Sequence, residues 1–274
     1  MHAKKRAVFS KPVAARFDEG RHWRAKLGFV VLAMEQTVEA DAFALTPSGV
    51  GVHFSRIPMS NDATVETLGA MAPAITASAS LLLPEDHLDV VCYTCNSGTM
   101  VIGEEGVMAA LAAAKPEAKA TTVMTSVVRG LRALGARRLV VATPYLDEVN
   151  DYVLEFLVAR GFEVLDLEGL NIRENTAIDR VEPAFLREYA RALDRPDADA
   201  VFVCCGALRA LDIVGVLEED VRKPVVVSNQ AMMWDCLRLA GVDDAVPGYG
   251  RLLELDGVAH RAAVARGTSE PRAA

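Results

Sequence analysis

The chain has 274 residues, 51% of them apolar, and a formal net charge of −8. That length can bury one large core or two smaller ones, and the acidic balance argues against a nucleic-acid partner, which needs a basic face. No apolar stretch reaches about 18 residues without a charge, so neither a membrane span nor a membrane partner is expected.

In chain order, an apolar run predicts a strand over 26–33, and alternation of Val50, Val52 and Phe54 predicts another over 49–56. Helical spacing over 64–83 predicts one helix ending before Pro84. A strand over 88–94, an Ala-rich helix over 101–114, a strand over 118–123 and a helix over 125–134 closed by Gly135 follow. Then the pattern restarts. Strands are expected over 138–143, 162–167, 198–204 and 224–228. Helices are expected over 147–160, 183–193, 208–219 and 230–239. Strands alternating with helices read as parallel sheets.

The restart is a repeat at residue level. A shift of 110 places Val31 on Val141, Asp89 on Asp199 and Cys95 on Cys205. Lys115-Pro116 answers Lys223-Pro224, and the run 131–135 answers 237–241, at nearly the same offset. The expected fold is therefore α/β. It consists of two pseudo-symmetric Rossmann-like lobes, each a four-stranded parallel sheet flanked by helices, with an active site in the interdomain cleft.

Cys95 and Cys205 each stand where an apolar strand runs into small and polar residues. One thiol per lobe suits an acid and a base acting on opposite faces of one substrate carbon. A thiolate would remove the proton beside a carboxylate, and a thiol would deliver one from the other side. Both cysteines read as followed by a helix start, which predicts lowered thiol pKa values. The run Asn96-Ser97-Gly98-Thr99 offers donors for an anion, and Gly206-Ala207 lets a carboxylate approach the backbone.

Two other strand ends face the same cleft. The first carries Glu35 and Gln36; Glu35 reads either as a substrate contact or as a partner of a helix N-terminus. The second carries Tyr145, a carboxylate donor or a turn residue; Asn175 is a cleft donor or an ordinary loop residue. Cys204 and Cys236 read as core. Cys92 and Cys95 lack a second ligand pair, so no metal is expected, and without a Gly-x-Gly-x-x-Gly or Walker sequence no cofactor is expected. The segment 1–20 lacks the apolar run of a secretory signal, so five cysteines fit free thiols in the cytoplasm. The basic cluster Lys4, Lys5 and Arg6, with Lys11 and Arg16 beyond it, reads as a solvated tail.

Five stretches carry a resemblance: 28–39, 49–57, 93–99 (Tyr-Thr-Cys-Asn-Ser-Gly-Thr), 143–150 (Thr-Pro-Tyr-Leu-Asp-Glu-Val-Asn) and 228–231. On these the chain resembles the aspartate/glutamate racemase superfamily, in the branch of maleate isomerases and arylmalonate decarboxylases. Within it, the chain most resembles the ectoine-utilisation racemase-like proteins of the EutA type. The resemblance implies a cofactor-independent isomerase in which Cys95 and Cys205 are catalytic. It implies that Asn96, Ser97 and Tyr145 bind the substrate carboxylate. It places residues 25–136 in one lobe, with 229–254 returning to it, and 137–228 in the other; 1–24 and 255–274 are then tails or extra helices. The malonate decarboxylases of this branch keep only the second cysteine, so Cys95 speaks against that activity. Glu35 stands where maleate isomerases carry Asn, which favours a small carboxylate with a cationic or neutral group, such as a cyclic amidine or an amino acid. Gly206 departs from a threonine common in the family. Self-association is left open, as are maleate isomerisation by cysteine addition, malonate-type decarboxylation and a non-catalytic two-lobed ligand sensor.

Overall fold

The computed structural model describes residues 14–269, so Lys4, Lys5, Arg6 and Lys11 lie outside the described residues. The first sheet contains β1 (Ala25–Leu32), β2 (Val50–Ile57), β3 (Val90–Tyr93) and β4 (Lys119–Thr122), in the order β2-β1-β3-β4. The second contains β5 (Arg138–Thr143), β6 (Glu163–Gly169), β7 (Ala200–Val203) and β8 (Val225–Val227), in the order β6-β5-β7-β8. Every pairing is parallel. The two orders are the same, so the sequence repeat is a repeat of topology. Parallel sheets covered by helices on both faces need strands that are apolar throughout; β3 and β7 are buried at every residue. Phe29, Phe202 and Trp234 are among the largest side chains closed from solvent.

Three helical expectations change. The helix expected over 64–83 is broken into α2 (Val65–Gly69), a 3-10 turn at Ala72–Ala74 and α3 (Ile75–Ser80), after the short α1 (Val38–Ala44) that the sequence reading did not include. Pro73 lies in the break; it has no N–H to donate and its ring collides with the preceding turn. The helix expected from residue 101 begins earlier and divides into α4 (Asn96–Ile102) and α5 (Glu104–Ala114) at Gly103, whose φ of 93° favours glycine. After it come α6 (Val123–Ala133), α7 (Asp147–Val158), α8 (Asn175–Ile178) and α9 (Pro183–Ala192). The helix expected over 208–219 is α10 (Val214–Val221), which starts later. Leu208, Ala210, Leu211 and Ile213 are buried in turns instead, so tertiary burial overrides their helical spacing.

The last described helices are α11 (Ser228–Leu239) and α12 (Gly257–Ser269), both packed on α6. Asp235 of α11 is fully buried and ties these helices together. It accepts from Thr121 Oγ1 (2.8 Å), Ser126 Oγ (2.8 Å) and Arg129 (2.9 Å), and lies 2.6 Å from His260 Nε2. No described helix is long and apolar enough to cross a membrane.

Candidate active site

The carboxyl ends of β3 and β7 deliver the two thiols. Cys95 is the N-cap of α4, and its Sγ accepts the Gly98 N–H at 3.2 Å and lies 3.6 Å from Ser97 Oγ. Glycine is required at 98 for this seat. A Cβ there would stand 2.7 Å from the Tyr93 hydroxyl and 3.0 Å from the Cys95 sulfur.

Cys205 has φ of 117°, a region that side chains rarely adopt. Such strain persists only where neighbours hold it. Here the Cys205 N–H donates to Ser228 Oγ at 3.0 Å. Ser228 Oγ also accepts from Asn96 Nδ2 at 2.9 Å, and Asn96 Oδ1 accepts the Gly206 N–H at 3.1 Å. Asn96 and Ser228 thus join the two cysteine loops. Asn96 lines the site as expected, yet its amide is engaged between the loops rather than open to an anion. Thr99 also turns away, donating to Cys95 O at 2.7 Å.

Gly206 explains its departure from threonine. A Cβ at 206 would fall 2.8 Å from Asn229 Oδ1. The Asn229 amide donates to Gly206 O (2.8 Å) and to Asp41 Oδ2 (2.7 Å). Burial pushes the Asp41 carboxyl up to about 7.

Glu35 is a partner of a helix N-terminus and stands at the cavity. One oxygen, Oε1, accepts the N–H groups of Gln36 (3.1 Å), Thr37 (2.7 Å) and Val38 (3.1 Å), satisfying the first turn of α1. The residue also lines the cavity. Burial raises its pKa, against the pull of those N–H groups. Gln36 does not line the cavity; its amide donates to Asp179 Oδ2 at 3.2 Å.

Tyr145 is buried, with its hydroxyl on Cys205 and Cys204. Its loop is clamped from α7: Asn150 accepts from Thr143 Oγ1 (2.6 Å) and donates to Tyr145 O (3.4 Å). Asn175 is buried, and its Nδ2 has no partner among the described residues.

These side chains close around a cavity of about 20 Å³. Glu35, Cys95, Asn96 and Ser97 line it from one side; Tyr145, Asn175, Cys205, Gly206 and Ala207 line it from the other. That volume holds about one water. A substrate therefore needs more room than this arrangement leaves. The lining includes Ala63, which belongs to a seam between the lobes. Ala63 N–H donates to Arg173 O at 3.0 Å, Asn175 N–H donates to Asn61 O at 2.9 Å, and Arg173 pairs with Asp62 at 3.1 Å.

The expected lowering of the thiol pKa values is overturned. Burial raises Cys95 and pushes Cys205 up to about 12. Desolvation of the thiolate outweighs the donors on each sulfur, which are Ser97 and Gly98 N–H for Cys95, and Tyr145 and Ala207 N–H for Cys205. No helix begins directly after Cys205. Cys204 is buried in the core, as expected, and so are Cys92 and Cys236. Ser228, Asn229, Asp41 and Asp179 were missed. The run Ser228-Asn-Gln-Ala contributed to the resemblance and was the signal for the first two.

Two parallel four-stranded lobes with a thiol at one strand end of each define a two-lobed α/β protein of aspartate/glutamate racemase-like fold. The family model for arylmalonate decarboxylase matches residues 104–253. Maleate isomerase of Nocardia farcinica is 31% identical over 243 residues, spanning 84% of this chain and 96% of that protein. Arylmalonate decarboxylase of Bordetella bronchiseptica is 41% identical over 137 residues, spanning 49% of this chain; the match covers 57% of that relative's length. Among solved structures, a cysteine-to-serine variant of the Nocardia farcinica maleate cis-trans isomerase, holding a covalently bound succinylcysteine intermediate, superposes with a TM-score of 0.79. It is 28% identical, over 85% of this chain and 99% of that one. The chain belongs to the arylmalonate decarboxylase and maleate isomerase family of enzymes.

Proposed function

We propose that this chain is a cofactor-independent racemase or isomerase. Cys95 and Cys205 move a proton on the carbon beside a substrate carboxylate. The observation that supports this most is that two buried thiols, one from each lobe, line one cavity whose neighbouring donors are neutral. One sulfur, as thiolate, takes the carbon's proton, and the electron pair passes into the carboxylate as an enediolate. The other sulfur gives its proton to the opposite face. The two sulfurs end with their protonation states exchanged. The hydroxyls of Ser97 and Tyr145 and the free amide N–H of Asn175 hold the carboxylate, where charge grows in the transition state. The working unit is residues 25–136 with 229–254, closing on 137–228.

The resembling stretches support a substrate drawn from ectoine chemistry: hydroxyectoine, or a ring-opened diamino acid made from it. A second reading is favoured by the succinylcysteine held by the Nocardia farcinica isomerase. One sulfur adds to the double bond of maleate, the new single bond rotates, and the sulfur leaves.

Solvent-deuterium exchange separates these readings. Purified protein without added metal or cofactor should place deuterium at Cα of hydroxyectoine or its diamino acid products. Because burial holds both thiols neutral at pH 7, the base form becomes commoner as pH rises. The exchange rate should climb roughly tenfold per pH unit between about pH 7 and 9. No exchange at any pH would sink the proton-transfer reading. Loss of maleate's ultraviolet absorbance without exchange would install the second.

A further inference from the structure

Among the described residues, Glu35 is the one charged side chain lining the cavity, and the lining includes no Lys, Arg or His. A second carboxylate stands beside it. Asp179, just past α8, is 8% exposed. Its Oδ2 accepts from Gln36, and its Oδ1 has no partner among the described residues. Burial and the nearby Glu35 charge push this carboxyl up to about 6. One helical turn earlier stands Asn175, 5% exposed, its Nδ2 unpartnered in the cavity wall. Residues four apart share a helix face. That face therefore carries an unsatisfied donor and an unsatisfied acceptor, and each is costly to bury unpaired.

A dianion fits such a cavity poorly, because the described lining offers it Glu35, with Asp179 standing behind the lining through Gln36. The nearest guanidinium, Arg56, lies outside the lining on the Glu35 carbonyl (3.0 Å) and the Glu39 carboxylate. A small carboxylate carrying a cationic nitrogen fits both demands. Its oxygen accepts from Asn175, and its N–H groups meet the acidic pair, whose mutual repulsion the cation relieves. Glu35 Oε1 is already filled by three backbone N–H groups. Its other oxygen is the one left to the ligand.

We propose that Asp179 and Glu35 form a cation subsite beside the two thiols, so that this enzyme takes a small carboxylate bearing an ammonium or amidinium group in preference to a dicarboxylate. Asp179 is then a specificity-determining residue. The inference rests on the proposed reading that the thiol cavity binds a substrate carboxylate.

Calorimetric titration with two four-carbon probes, 2,4-diaminobutyrate and maleate, tests it. The wild-type chain should bind the diamino acid at least about tenfold more tightly. The isosteric D179N variant should lose about tenfold on the diamino acid and nothing on maleate, with an unchanged melting temperature. E35Q, a second variant, should shift the preference the same way. Maleate bound as tightly as the diamino acid by the wild type, equal loss on both probes in D179N, or binding of neither at millimolar concentration would overturn the subsite. Deuterium exchange at Cα of the diamino acid keeps the two proposals apart. Exchange that D179N leaves untouched removes the subsite and keeps the proton transfer. Selective binding without exchange does the reverse.

Discussion

Replacing Cys95 or Cys205 by serine should each abolish turnover, by roughly a thousandfold or more, while leaving the fold and ligand affinity nearly intact. General acid–base groups contribute about 10²–10⁴ each. A hydroxyl is far too weak an acid to replace a thiol in either role. The substitution is small, and neither sulfur carries the fold. Cys205 is held by its backbone N–H on Ser228, which serine retains. The Gly98 N–H and Ser97 hydroxyl on Cys95 accommodate a serine oxygen. Steady-state rates beside melting curves and titrations check this for each variant. A non-catalytic sensor would keep its ligand affinity and have no turnover to lose. A one-thiol mechanism would leave one of the two variants active.

The second large effect is on stability. Asp235→Ala removes the acceptor shared by Thr121, Ser126, Arg129 and His260. Asp235 is fully buried, and the Arg129 side chain is 19% exposed. Breaking a buried pair from one side strands the remaining charge and costs about 3–5 kcal/mol. For a chain of this size that lowers the melting temperature by roughly 10 °C. Thermal unfolding followed by circular dichroism checks it. A change of a degree or two would mean that α11 and α12 are held to α6 by apolar packing alone. Ser228 and Asn229 open α11 and hold the Cys205 loop, so this anchor also supports the site from behind.

Much of the architecture was legible because its signals are local. Apolar runs and helical spacing mark strands and helices within a window of a dozen residues. The shift linking Asp89 with Asp199 and Cys95 with Cys205 then shows that one lobe repeats the other. The residues brought to the cavity follow from strand ends: Glu35 after β1, Cys95 after β3, Tyr145 after β5, Cys205 after β7. The errors have a different origin. The thiol pKa values were misjudged because desolvation depends on how closely two lobes meet. The helix dipole, which argued the other way, can be read from neighbours in sequence. Asn96 was taken for an open anion donor because its bonds to Gly206 and Ser228 span 110 and 132 residues. Asp179 went unnoticed for the same reason: its bond to the Glu35 loop is made to Gln36, 143 residues away. Pro73 was local and could have been used to break the helix expected over 64–83.

The most direct test of the paired-thiol chemistry is a crystal structure of the enzyme with its substrate or a stable analogue bound. The Cys95 and Cys205 sulfurs should lie on opposite sides of one substrate carbon, each within hydrogen-bond reach, with the adjacent carboxylate against Ser97 and Tyr145. Both sulfurs on one side of the ligand, or a carboxylate bound away from those hydroxyls, would contradict it.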